Sequence, residues 1–80
     1  MQLILHLTTP SYDTWKTAFD ADAENRAAAG LTMMQIWRGA DDAGEVTVLF
    51  SVSDRKRAQD WLDKEAGFGR TATAHFLKTA

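Results

Sequence analysis

Five side chains of this 80-residue chain have the chemistry for proton transfer or ligand binding: His6, Gln35, Trp37, Arg38 and His75. A neutral imidazole near pH 7 can accept a proton from a C–H or O–H group, while an amide donates to the oxyanion that forms. A tryptophan offers a flat apolar surface to a ring, and an arginine binds a carboxylate. Together they suit acid–base chemistry on an activated aromatic or enolic compound, with His6 as the candidate general base.

Other kinds of chemistry lack the residues that they need. The chain has no cysteine, which excludes disulfides, thiolate nucleophiles and cysteine-bound metal. The histidines form no H-x-H or H-x-x-x-H pair and have no carboxylate beside them, so they do not predict a metal site. No Ser-His-Asp pattern is present for covalent catalysis. We expect neither a metal nor a cofactor.

The composition indicates one small domain, residues 1–80, with no nucleic-acid or membrane partner. Nine Lys and Arg against eleven Asp and Glu give a net charge of −2, which leaves no basic excess to neutralise phosphates. No basic leader, A-x-A cleavage pattern or long apolar run is present, and the absence of cysteine fits a reducing compartment. We expect a cytoplasmic protein, small enough that self-association would help to stabilise it.

The elements that must position these residues begin with a strand and a helix. Gln2–Thr8 alternates apolar and polar residues as a half-buried strand does. Thr9-Pro10-Ser11 has the residues of a helix start, and Gly30 is the expected stop. The apolar positions at helical spacing between them are Tyr12, Trp15, Phe19, Ala23 and Ala27.

A hairpin, a second helix and a last strand follow. Thr32–Arg38 and Val46–Val52 are rich in β-branched, aromatic and Met residues, and the Gly- and Asp-rich residues 39–44 form the loop between them. Asp54–Ala66 carries an apolar stripe of Ala58, Trp61, Leu62 and Ala66, and Thr71–Lys78 alternates again. Gly67-Phe68-Gly69-Arg70 is either a loop that closes over a pocket or a plain connection.

Three cations, Arg55, Lys56 and Arg57, fall in the first turn of the second helix. This is the unfavourable end of the helix dipole for positive charge. The cations either bind an acidic partner surface or form a solvated face.

The order βαββαβ predicts an α+β, ferredoxin-like fold: a four-stranded antiparallel sheet with both helices on one face. The first and third strands are then central, and the second and fourth are edges. The helix-facing set is Leu3, Leu5, Leu7, Met34, Ile36, Val46, Val48, Phe50, Val52, Ala72, Ala74 and Phe76. The opposite set is Ile4, His6, Thr8, Met33, Gln35, Trp37, Thr47, Leu49, Ser51, Thr73, His75 and Leu77.

This opposite face mixes apolar and polar side chains, which a monomer would leave in water. We therefore expect two copies to stack their sheets and to enclose a cavity for a small ligand. Arg38 has the parity of the helix side, so it lies either at the rim of that cavity or on the surface as an ordinary strand-end residue.

The pattern of the whole chain resembles small proteins of the dimeric α+β barrel superfamily. The resemblance is carried by the strand with its central His6, the helix start Tyr12-Asp13-x-Trp15-Lys16-x-x-Phe19-Asp20, the Gly30 stop and the Ile-Trp-Arg end of the second strand. This superfamily includes antibiotic-biosynthesis monooxygenase-like domains, muconolactone isomerase-like enzymes, polyketide cyclases and stress-responsive proteins. The resemblance implies the fold and a homodimer.

The chemistry stays open between two classes of protein. One class is a non-catalytic homodimer that binds a small ligand, and the other is a cofactor-independent monooxygenase, isomerase or cyclase. In haem-degrading members of the superfamily an Asn, a Trp and a helix-borne His form the site. Because this chain has His6 on a strand and no histidine in its second helix, it departs from that pattern and we expect no haem.

Overall fold

The computed structural model describes residues 1–64 and 72–80. Strands and helices follow one another there in the predicted ferredoxin-like order, except that the first helix is in two parts. The elements are β1 (Gln2–Thr8), α1 (Tyr12–Ala21), α2 (Ala23–Ala28), β2 (Leu31–Arg38), β3 (Glu45–Val52), α3 (Arg55–Lys64) and β4 (Thr73–Leu77).

The strands form one antiparallel sheet in the order β2-β3-β1-β4. As predicted, the first and third strands of the chain are central. Leu5 of β1 lies opposite Val48 of β3 on one side and Ala74 of β4 on the other. All three therefore belong to the helix-facing side of the sheet.

The core lies between that side of the sheet and the helices. Alternate residues of the central strands are fully buried: Leu3, Leu7, Val46, Val48 and Phe50 are 0% exposed and Leu5 is 1% exposed. The helices contribute the buried side chains of Trp15, Phe19, Ala58 and Trp61. The alternation of the sequence thus predicted the core residues of β1 and β3 correctly.

The single helix predicted up to Gly30 is interrupted at Asp22. Ser11 caps α1, as expected, by accepting a hydrogen bond from the amide of Thr14. The amide of Asp22 donates back to the carbonyl of Phe19 at 3.2 Å, which tightens the turn and ends α1.

The buried stripe beyond this break also differs from the prediction. Arg26 and Ala29 are buried, whereas Ala23 and Ala27 are exposed. Positions 15, 19, 22, 26 and 29 do have helical spacing, but the charges at Asp22 and Arg26 conceal this stripe in the sequence.

The predicted register of β2 was wrong at its start. Met33 lies opposite Phe50, so it pairs on the helix-facing side instead of the opposite side, and a β-bulge follows between Met33 and Gln35. The extra residue, Met34, is 55% exposed and is not the core residue that we expected. Leu31 and Ile36 are five positions apart, and the bulge allows both to face the helices, which strict alternation forbids.

Gly30 ends the helical segment as expected. Its φ of +76° is accessible to glycine, and a Cβ atom here would lie 2.7 Å from the hydroxyl of Ser53. Asp54 then caps α3 by accepting a hydrogen bond from the amide of Arg57 at 3.0 Å.

The structure confirms the predicted alternation of the last strand but not the predicted burial of all its helix-facing residues. Ala74 was expected in the core, yet it is exposed because β4 is an edge strand that the described residues cover only partly. Ala72 and Phe76 do pack against the core. Ala66, Thr71 and the segment Gly67 to Arg70, which we considered as a loop over a pocket, lie outside the described residues.

Candidate functional site on the open face of the sheet

The side of the sheet turned away from the helices, here called the open face, brings together four of the five candidate residues. The pairing places these side chains on it: Gln2, Ile4, His6, Thr8, Thr32, Gln35, Trp37, Thr47, Leu49, Ser51, Thr73, His75 and Leu77. His6, Gln35, Trp37 and His75 therefore share one surface, as predicted. Their roles as ligand-binding or catalytic groups stay predictions.

One row of side chains crosses the open face through His6. Thr73, His6, Thr47 and Trp37 lie opposite one another on the four strands. Nδ1 of His6 is 2.9 Å from the hydroxyl of Thr47, and both side chains are half-buried. This hydrogen bond orients the ring, and Nε2 makes no hydrogen bond among the described residues.

Thr47 is a site residue that sequence reasoning missed. Its place on the open face followed from alternation, but its position opposite His6 depends on the register of β1 against β3. A hydroxyl group can donate to a ring nitrogen or accept from it, so this hydrogen bond orients the imidazole in either tautomer. Nε2 can accept a proton in the tautomer in which Nδ1–H donates to Thr47.

A second row contains His75, Ile4, Leu49 and Gln35. His75 is exposed and lies diagonally across from His6 on the neighbouring strand, whereas Gln35 is separated from β1 by the whole of β3. Because strands are spaced by about 4.8 Å and Gln35 lies in the row of Ile4, two residues along from His6, Gln35 and His6 are roughly 12 Å apart. The two can act together only on a ligand that spans this distance.

The open face also exposes large apolar side chains. Trp37 is 49% exposed and Leu77 is 42% exposed, and they lie on the two opposite edge strands. The half-buried Ile4 and Leu49 occupy the centre between them. The surface thus combines an apolar centre and edges with the polar row of His6 and Thr47.

Arg38 is not brought to the open face. It pairs with Val46 on the helix-facing side, and its guanidinium donates from Nε and Nη2 to the carbonyl of Ala43 at 3.3 and 3.2 Å. The same group lies 4.1 Å above the ring of Tyr12. The structure thus gives Arg38 contacts with α1 and with the hairpin loop, and a role in binding a carboxylate stays a prediction.

A polar cluster in the helical layer was not anticipated from the sequence. The carboxylate of Asp22 accepts hydrogen bonds from the indole N–H of Trp61 at 3.0 Å and from the side-chain amide of Asn25 at 2.7 Å. Arg26 donates to the carbonyl of Phe19 and lies 3.7 Å above its ring. Burial lowers the pKa of Arg26, and the charges of Asp22 and Asp20 oppose that shift.

The other buried indole differs from that of Trp61. The Nε1 atom of Trp15 is buried and has no hydrogen-bond partner among the described residues. Aromatic contacts hold Trp15 in place instead: it stacks on Phe19 at a centroid distance of 4.8 Å, and its ring centroid lies 5.9 Å from that of Tyr12.

A groove of about 510 Å³ opens between α2 and α3, on the side of the sheet opposite to the open face. It is lined by Asn25, Ala28, Ala29, Arg57, Asp60, Trp61 and Lys64. None of these residues was a candidate site residue in the sequence, although Arg57 belongs to the cationic triplet at the start of α3.

The described part of the chain contains neither a metal-binding cluster nor a membrane-spanning helix. No group of three or more His, Asp or Glu side chains there is arranged to hold a metal ion. Among the same residues, no helix is long and apolar enough to cross a membrane.

Comparison with known proteins supports the fold. No family model matches the chain, and no curated protein matches its sequence. Among solved structures, the chain is similar to one described as "Putative antibiotic biosynthesis monooxygenase from Nitrosomonas europaea", with a TM-score of 0.56 and 16% identity. The match covers 98% of this chain and 88% of that one.

This likeness confirms the ferredoxin-like fold over nearly the whole chain. At 16% identity it bears on the fold alone. Because one fold carries many functions, the activity named for the similar structure is a property of that protein.

Proposed function

We propose that this protein is a homodimer whose two open faces stack and enclose a cavity for a small aromatic or enolic ligand. The observation that carries the proposal is the combination on one surface of the exposed Trp37 and Leu77 with the half-buried pair of His6 and Thr47. The composition, which lacks cysteine, makes the cytoplasm the place where we expect to find it.

The apolar part of the open face supports the dimer. Ile4 and Leu49 fill the centre of the sheet, and exposed apolar side chains lie on both edge strands. Contiguous apolar surface of this kind is typical of association sites, and a two-fold axis through the centre would cover it on both copies.

The polar row supports the choice of ligand. Trp37 and His6 lie two strands apart with Thr47 between them, which corresponds to roughly 10 Å. A fused or substituted aromatic ring stacked on Trp37 would place a hydroxyl or enol group near Nε2 of His6. Thr47 would hold the imidazole in that orientation, either by accepting from Nδ1–H or by donating to Nδ1.

The dimer is tested by the molar mass in solution. Light scattering behind a sizing column should give about twice 8.9 kDa for the wild type. Leu49→Lys places a charge at the centre of the open face and should give a monomer, whereas Ala27→Lys, an exposed position on α2, should remain a dimer. A wild type that stays monomeric at high micromolar concentration would contradict the proposal.

Ligand binding is tested by titration with 1-naphthol, a small aromatic compound with an acidic hydroxyl. The amide resonances of Thr47 and Trp37 should shift, and Trp37→Ser should weaken binding about tenfold through loss of the stacking surface. Trp15→Phe is the matched control, because this tryptophan is buried on the other side of the sheet and does not line the groove between α2 and α3. Shifts that avoid the open face would contradict the proposed site.

A second function, cofactor-independent proton abstraction with His6 as general base, is favoured by the hydrogen bond of His6 to Thr47. It fits monooxygenase, isomerase or cyclase chemistry, the first of which is named in the description of the similar structure. The bond orients the imidazole, and proton transfer requires such orientation.

Exchange of the activated C–H protons of 2-tetralone in deuterated buffer tests this function. His6→Ala should abolish the acceleration with the fold intact, whereas His75→Ala should keep it. If the wild type exchanges no faster than buffer, or if His6→Ala only lowers the melting temperature, His6 is a structural residue in a ligand-binding protein.

A further inference from the structure

The groove between α2 and α3 is formed by matching faces of the two helices. Asn25, Ala28 and Ala29 line it from α2 and its C-terminal end, and α3 contributes four residues at the spacing of one helical face: Arg57, Asp60, Trp61 and Lys64. The small side chains of Ala28 and Ala29 leave the space between the helices open. The volume of about 510 Å³ is in the range of small-molecule sites.

The wall of the groove is held in place by hydrogen bonds. The indole N–H of Trp61 and the side-chain amide of Asn25 both donate to Asp22, one to each carboxylate oxygen. Trp61 is also only 4% exposed and packs edge-on against Phe50 at a centroid distance of 6.0 Å. The apolar wall is therefore preformed, whereas binding would have to order the exposed side chains of Arg57 and Lys64.

The rim of the groove carries more positive than negative charge. Arg57 and Lys64 are cations, and the single carboxylate, Asp60, lies 3.5 Å from Lys56, a cation that does not line the groove. Lys64 takes part in no ion pair among the described residues, and Nε of Arg57 is 3.6 Å from Asp54. This is a local exception in a chain with a net charge of −2.

We infer that this groove binds a small flat aromatic carboxylate. The ring would lie against Ala28, Ala29 and the edge of Trp61, and the carboxylate would bind the guanidinium of Arg57. Lys64, two helical turns further and so about 10 Å along α3, would attract the same anion from the other end of the groove. The inference is independent of the open face, since the whole sheet lies between the two sites.

The test is an NMR titration of the labelled full chain with 1-naphthoate. The amides of Ala28 and Ala29 and the indole N–H of Trp61 should shift. Arg57→Gln and Lys64→Gln should each raise Kd about three- to fivefold, the effect expected for exposed charge pairs. Arg55→Gln, which removes a cation of the same helix that lies over Phe76 and outside the groove, should leave Kd unchanged. The neutral 1-naphthamide, which has the ring without the charge, should bind more weakly.

Steric blockage gives a second test that leaves the charges in place. Ala28 is exposed, so Ala28→Trp should fold and should abolish the shifts by filling the groove. Persistence of the shifts in that variant, or an equal loss of affinity in Arg55→Gln and Arg57→Gln, would overturn the inference. Shifts confined to Ile4 and Thr47 would also overturn it and would assign the carboxylate to the open face instead.

Discussion

The same strands make both faces of the sheet, but the chain itself covers the two faces to different extents. On β3, Val46, Val48 and Phe50 face the helices and are 0% exposed, whereas Thr47, Leu49 and Ser51 alternate with them and are half-buried at most. On the two central strands the helix-facing side is covered within one chain. The open face keeps apolar area uncovered, and this is the area that the proposed dimer would bury.

The largest expected difference between the faces is in the stability lost when a large side chain is truncated to alanine. Phe50→Ala should lower the free energy of unfolding by about 3–5 kcal/mol, because Phe50 is fully buried against Phe19 and Trp61. Leu49→Ala, one residue away on the open face, should cost about 1 kcal/mol in the monomer, since this side chain is only partly buried. Urea unfolding followed by tryptophan fluorescence measures both. Equal costs would remove the distinction between the faces.

The buried charge of the helical layer gives the next effect. Arg26→Ala should destabilise by about 2–3 kcal/mol, because it removes the charged one of the two donors to the carbonyl of Phe19 and the group stacked on the Phe19 ring. Arg26→Lys should recover part of this loss, since a lysine keeps the charge but lacks the planar group. Thermal unfolding of the two variants checks the order. An unchanged melting temperature in Arg26→Ala would show that the contact contributes nothing.

A third prediction concerns the different hydrogen bonding of the buried indoles of Trp61 and Trp15. Asp22→Ala should cost about 1–3 kcal/mol, because the N–H of Trp61 loses its acceptor. In a Trp61→Phe background the same substitution should cost less, and the difference measures the coupling. The N–H of Trp15 lacks a partner among the described residues, so Asp22→Ala in a Trp15→Phe background should cost as much as in the wild type.

The smallest effect concerns the open face. Thr47→Val keeps the shape of the side chain but removes the hydroxyl bound to His6, which should change stability by less than about 1 kcal/mol. The proportion of the two imidazole tautomers should change, and the ¹⁵N shifts of His6 report it. Thr73→Val, on the other neighbour of His6 in the same row, is the control. Identical ¹⁵N shifts in both variants would mean that Thr47 does not orient the ring.

The alternation of apolar and polar residues in the sequence predicted most of the difference between the two faces. It succeeded because β1 and β3 are regular strands in which every second residue is buried. Three features escaped it. Asp22 and Arg26 occupy buried helix positions that their charges conceal, and the bulge beside Met34 breaks the period of two. The contact of Thr47 with His6 depends on strand pairing over 41 residues, which no local pattern contains.

The bulge in β2 has a consequence for solubility. An edge strand eight residues long, with Met33 and Met34 exposed, is the kind of edge on which another chain can add a strand and begin to aggregate. A bulge in its middle disrupts the regular row of free backbone groups that such addition needs. The extra residue that made the register hard to predict thus protects the edge of the sheet and leaves the open face as the surface for the proposed dimer.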